Sequence, residues 1–246
     1  MTLQACADQV AKGDPDRFAA TMAAPVSARA VLFPLYAMNL EVARAPWVTQ
    51  EAMIAEMRLQ WWRDALDEIA KGGHVRRHEV VTPLAEVLDA EAAAVLDGLV
   101  TARQWDIYRD PFKDEADFDR YIDATSGHLM WTAARLLGET NETAIRDIAY
   151  ASGVASWLRA IPELEAQNRI PLLDGRPEAI SELAQKALNR LSRAKTKNPA
   201  TWPAWQARAL LKRALSNPML VAEGALQLSE FRRRGGLLLT SLTGKV

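Results

Sequence analysis

Apolar residues recur at three- and four-residue spacing along almost the whole of this chain, and that period dictates what it can fold into. Val31, Leu35, Met38 and Val42 form one such stripe, and Ile54, Met57, Trp61 and Leu66 form another. Residues spaced this way share one face of an α-helix. Ala, Leu, Glu, Arg and Gln dominate the same stretches, and all are good helix formers. No sustained alternation of β-branched residues between turns offers a strand. The expected fold class is all-α.

Breakers divide the pattern at Gly13-Asp14-Pro15, Ala45-Pro46, Gly72-Gly73, Asp110-Pro111, Gly138, Pro162, from Pro171 to Pro177, and at Asn198-Pro199, Asn217-Pro218 and Gly235-Gly236. The intervals between them predict about eight main helices. Thr49 ahead of Gln50-Glu51-Ala52, Thr82 with Glu86 downstream, and Ser181 are the expected N-caps. Pro162 is expected to bend or end its helix, because it lacks a backbone donor and clashes with the preceding turn. Residues 163–203 read as an extended loop followed by an exposed helix. Arg190, Arg193, Lys195 and Lys197 there read as a solvated helix end. No Gly/Ser- or Pro-rich linker interrupts the chain, so residues 1–246 form one expected domain, long enough to bury a sizeable core.

Several function classes drop out. A formal net charge of −1 gives no global attraction to nucleic acid. The single Cys6 excludes an intramolecular disulfide and a Cys-based zinc site and fits a reducing compartment. His74, His78 and His128 lack metal-ligand spacing. The first residues carry Asp8, Asp14 and Asp16 and no long apolar core, unlike a secretory or transit peptide, and no apolar run approaches the roughly 20 residues that span a bilayer. A cytoplasmic location is expected, with peripheral placement at the inner membrane as its variant. Arg232, Arg233 and Arg234 precede Leu237, Leu238 and Leu239, a pattern suited to an anionic surface or a partner. The plainer expectation is a last helix that packs its leucines on the bundle.

Three blocks resemble the squalene/phytoene synthase family. The first is LFPLYAMNLEVAR followed by EMRLQWWRDALDEI. The second is ARQWDIYRDPFKDEADFDRYIDATSGHLMWTAARLLG at 102–138, similar to the family segment in which a DLY element leads into a small-residue-rich helix. The third is ASGVASWLRAIPELEAQNRIPLL at 151–173, where the family has GxAxQLxNxxRDxxED followed by RxYLP. With a helical remainder, the resemblance covers most of the chain. It implies a single isoprenoid-synthase-like helical bundle around a central cavity.

In that family, magnesium ions hold the departing diphosphate, and two Asp four residues apart on each of two facing helices bind them. Here the first motif falls near Ala43 to Trp47, with Glu41 as the only nearby carboxylate. The second reads Ala160-Ile161-Pro162-Glu163-Leu164-Glu165-Ala166, placing Leu164 at or near a metal-binding Asp position. Glu163 and Glu165, two residues apart, would point about 200° from one another on a helix. The LRAIP signature resembles the branch that includes a mitochondrial complex I assembly factor and its bacterial relatives, in which the frame is kept and the Asp-rich motifs are lost.

The expected function is therefore non-catalytic: assistance in assembling respiratory complex I or a related membrane complex, with a complex subunit or assembly protein as partner and an isoprenoid or lipid as a candidate ligand. No cofactor is expected. The alternative is a prenyl transferase that condenses two prenyl diphosphates head to head with Mg2+. Its catalytic candidates are Glu41, Glu163 and Glu165, and its weak metal candidates are Asp119 and Asp123 of DRYID. Substrate-binding candidates are Tyr36, Arg58, Trp61, Arg63 and Arg159, the arginines being suited either to phosphate oxygens or to internal acids such as Glu41 and Asp64. The Trp61-Trp62 pair, about 100° apart on a helix, can turn only one ring squarely to the core.

Overall fold

A computed structural model describes residues 2–49 and 51–246. It is all-α, with no strand among the described residues. The helices are α1 Leu3–Gly13, α2 Pro15–Ala23, α3 Val26–Arg44, α4 Ala52–Lys71, α5 Val81–Ala85, α6 Ala90–Ala102 and α7 Trp105–Tyr108. They continue with α8 Glu115–Ile122, α9 His128–Leu136, α10 Glu142–Ala166, α11 Pro177–Arg193, α12 Ala207–Ser216, α13 Met219–Ala222 and α14 Glu230–Thr243. They outnumber the eight expected because single turns such as α5, α7 and α13 form inside the intervals that the breakers leave.

Two helices run through the middle. On α3, Leu32, Leu35, Tyr36, Met38 and Val42 are all buried, and on α10 so are Ile145, Ile148, Val154, Leu158, Ile161 and Leu164. Burial on more than one face is what a central helix requires. α1, α2 and α9 pack on α3, while α11, α12 and α13 pack on α10, and α4 pairs with α6. The result is a bundle whose two inner helices face one another across a cavity.

Aspartates cap three helix starts. Asp14, Asp89 and Asp114 accept backbone hydrogen bonds from Arg17, Ala92 and Asp117, opening α2, α6 and α8. Pro15 follows Asp14 at the first helical position, where its missing N–H costs nothing. The expected caps differ. Thr49 Oγ1 accepts from the Glu51 N–H one step outside α4, whose N-cap is Glu51, and Gln50 lies outside the described residues. Thr82 and Ser181 sit inside α5 and α11.

Pro162 does not end its helix: α10 continues through it to Ala166. An internal Pro costs about 3 kcal/mol. Leu158, Ile161 and Leu164 around it are all buried, and burying such side chains contributes about 1.5–3 kcal/mol each, enough to carry the helix one further turn. The loop expected from 163 thus begins only after α10.

One irregularity shapes the cavity. A π-helical turn, Asp123–Gly127, joins α8 to α9. α10 crosses it closely: a Cβ on Gly153 would lie 2.6 Å from Ser126 Oγ and 2.8 Å from Ile122 Cγ2. Glycine is required there by close approach rather than by backbone angle.

Candidate functional site

The central cavity has a volume of about 700 Å³. α3 contributes Tyr36, Leu40, Ala43 and, just beyond its end, Trp47. α10 contributes Gly153, Ser156, Ala160 and Leu164 from the opposite wall. Residues four apart share a helical face, so Ala43 and Trp47 form one ladder, and Ser156, Ala160 and Leu164 form the other. The π-turn adds Thr125 and Ser126 between them.

Every carboxylate on this cavity already has a cation. Asp14 pairs with Arg17 at 3.0 Å. Asp16 meets Arg233 at 3.4 Å and Arg159 at 3.8 Å, and accepts from Gln206 Nε2 at 2.7 Å. Asp106, buried, accepts from the Tyr121 hydroxyl at 2.9 Å and from Arg103 Nη1 at 3.2 Å. Arg103 also donates to the Tyr121 oxygen at 3.1 Å. Burial, reinforced by Asp106, pushes the Tyr121 phenol well above its ordinary range, so it remains a donor.

Arg169 adds a buried cation beside this floor. Its guanidinium lies 4.5 Å from the centre of the Trp47 ring and 5.8 Å from that of Trp105, and its Nη2 donates to the Asp106 carbonyl. Nε and Nη1 have no hydrogen-bond partner among the described residues. Burial lowers its pKa from the ordinary arginine value, and the aromatic faces around it offset part of that cost by attracting the cation. Trp105, Phe112, Phe118, Tyr121 and Trp157 form an aromatic cluster beneath it, with Trp105 and Phe112 stacked at 4.3 Å.

The residues singled out from the sequence separate into several places. Tyr36 and Arg159 line the central cavity, Tyr36 buried beneath Arg17 at 5.4 Å. Glu41, Arg58 and Trp61 instead line a second groove of about 590 Å³, with Arg44, Met57, Trp62 and His78. Glu41 there accepts from Gln9 at 3.0 Å and approaches His78 at 3.9 Å. Trp62 is buried while Trp61 is half-buried, their rings edge to face at 5.2 Å. Arg63 belongs to neither site and donates to Asp97 of α6 at 2.7 Å. Glu163 and Glu165 are exposed on either side of buried Leu164 and face away from the cavity. Asp119 accepts from Tyr150 at 2.7 Å and from Lys186 at 2.8 Å, whereas Asp123 pairs with Arg146 at 2.8 Å. The DRYID acids thus face separate cations and lie outside the cavity lining.

Arg103 and Arg169 were not candidates from sequence. Arg169 lies in a stretch that reads as loop, and nothing in one dimension signals that it folds back onto Trp47.

A sequence model of the squalene/phytoene synthase family matches residues 10–215. The chain belongs to that family. A solved dehydrosqualene synthase in complex with ligand superposes with a TM-score of 0.78 over 98% of this chain and 95% of its own, at 14% identity, which establishes the isoprenoid-synthase fold. Among curated proteins, the complex I assembly factor 6 homolog of Drosophila melanogaster is 28% identical over 68% of this chain and 53% of its own length. Complex I assembly factor 6 of Bos taurus and of Homo sapiens are each 22% identical over 67% of this chain and 51% of theirs. The chain spans about half the length of these curated relatives.

The magnesium that this fold family implies does not fit the residues present. Magnesium takes hard oxygen ligands in near-octahedral geometry. The two ladders offer Ala43 and Trp47 against Ala160 and Leu164. Arg169, a cation, sits over one of the rings. The carboxylates that remain on the cavity are neutralised by arginines. Among the described residues, no three His, Cys, Asp or Glu side chains are grouped as a metal would need.

Proposed function

We propose that this protein is a non-catalytic member of the squalene/phytoene synthase family that assists the assembly of respiratory complex I or a related membrane complex. The observation that carries the reading is the pair of facing ladders: where a prenyl transferase needs carboxylates to hold diphosphate through metal, Ala43, Trp47, Ala160 and Leu164 supply none. The relatives named as complex I assembly factors favour the same conclusion. On this reading the chain works on the cytoplasmic side, peripheral to the inner membrane, and its partner is a subunit or assembly protein of the complex.

Two measurements test it. Purified protein given farnesyl and geranylgeranyl diphosphates with magnesium should release no diphosphate; release that chelator abolishes would overturn the non-catalytic reading. Deleting the gene in its host should reduce assembled complex I on native gels, with recovery from a plasmid copy. Full assembly in the deletion strain would overturn the assembly role while leaving the loss of catalysis intact.

A further inference from the structure

We infer that α14 is a docking element for an anionic lipid surface. The inference concerns a helix outside the residues that match the family, and it does not depend on the assembly reading. Phe231, Leu238, Leu239 and Leu242 are 87%, 61%, 62% and 76% exposed. At 100° per residue, Phe231, Leu238 and Leu242 fall within about 40° of one another, with Leu239 about 80° to one side. Of the leucines that the plainer sequence reading packs on the bundle, Leu237 does lie against the core, but Leu238 and Leu239 do not, and neither does Leu242.

The opposite face holds the helix in place. Trp205 Nε1 donates to the Arg233 carbonyl at 3.1 Å, and Arg233 reaches Asp16 at 3.4 Å. Gly236 rests on the Trp205 indole, where a Cβ would lie 3.2 Å from Cδ1, and Thr240 is buried. With that face committed, the apolar stripe is directed outward.

Charge selects the occupant. Arg232 and Arg234 flank the stripe at about 100° and 60° on its two sides. Arg232 has no ion pair among the described residues, and Arg234 has only Glu230 at 3.4 Å, an acid already held by Arg233 at 2.7 Å. Lys197 packs against Gly244, where α14 ends, and Lys245 follows. An apolar stripe with long cations on both flanks matches a bilayer whose headgroups are negative, because the arginine stems can lie along the acyl boundary while their heads meet phosphates. A second copy of the chain fits less well. One four-residue stripe falls short of the roughly 800 Å² per partner of a stable protein interface, and stacking two such helices would bring like charges together.

The test is sedimentation of the full-length protein with vesicles of phosphatidylcholine alone or mixed with phosphatidylglycerol. Binding is expected to the mixed vesicles, weakening as salt is raised. Leu238→Glu with Leu242→Glu should abolish it, and Arg232→Gln with Arg234→Gln should weaken it about thirtyfold, from two cations lost near an anionic surface. Circular dichroism and thermal melts should match the parent, because the altered side chains are exposed. Binding to neither vesicle, equal binding to both, or undiminished binding by folded variants would overturn the proposal. So would a concentration-dependent dimer in sedimentation equilibrium that the leucine substitutions disperse, since a second copy would then cover the stripe.

Discussion

The central cavity and the groove between α3 and α4 have similar volumes but opposite economies of charge and apolar surface. In the cavity, Asp14, Asp16 and Asp106 are each satisfied by arginine, and Arg169 is held by two indole faces. In the groove, Val48, Ile54 and Met57 are exposed, and Arg44 and Arg58 have no ion pair among the described residues. The acids of the cavity are committed to internal ion pairs, while the groove outside it has open surface. Substitutions in the first should therefore register as lost stability, and substitutions on the exposed rim of the second should not.

The largest effect is expected at Asp106. Replacing it with Ala leaves the Arg103 guanidinium and the Tyr121 hydroxyl buried without their shared acceptor, and breaking a buried pair in this way costs about 3–5 kcal/mol. Urea denaturation measures the loss; a change below about 1 kcal/mol would mean that the cavity floor is not structural. Trp47→Ala comes next, at about 2 kcal/mol, because it removes one of the two rings over a desolvated Arg169. If Trp47→Ala proves neutral in the same titration, Arg169 is held by Trp105 and Asp106 without it.

These two sites also show what was legible beforehand. The course of α3 was readable because its apolar periodicity and its burial agree, and Ala43, Trp47 and Leu164 were readable as cavity positions because the matching blocks place them where the family has its motifs. Pro162 misled because local propensity gave no weight to Leu158, Ile161 and Leu164, whose burial keeps the helix intact. The π-turn at Asp123–Gly127 has no sequence signature, and Arg169 acquires its environment only when residues 47, 105 and 106 converge on it. The exposed leucines of α14 follow from Gly236 seating the other face on Trp205, a choice of face that helical period alone leaves open.

A smaller effect is expected from pH, and it arises away from both regions. Burial, then nearby Arg146, holds His128 below its ordinary pKa, where α9 meets Gly98 of α6. The unfolded chain then binds a proton at His128 more readily than the folded one. The stabilising contribution is complete above the unfolded value of about 6.5 and is lost as pH falls through the lowered folded value. Asp89, held low by Arg135 and by the Ala92 N–H, behaves in the same direction but in a separate acid window, below about 3.9. Urea midpoints measured from pH 8 to 5 should decline, and His128→Gln should flatten that decline while leaving unchanged the further fall when the series is carried below about pH 3.9. A parallel decline in the variant would assign the transition to other groups.

The least effect is expected in the groove, and it carries the comparison's sharpest edge. Met57 is 66% exposed and Arg58 is exposed beside it. Met57→Ala and Arg58→Ala should therefore move the urea midpoint by no more than about 0.5 kcal/mol, the range of ordinary surface changes. Trp62→Ala, one turn along α4 and buried, should by contrast cost about 3–5 kcal/mol, because it empties core volume beneath the same groove. The contrast separates the lining into a rigid floor and a free rim. If Met57→Ala or Arg58→Ala destabilises the protein by as much as Trp47→Ala, the rim belongs to the scaffold and the two regions no longer differ in kind.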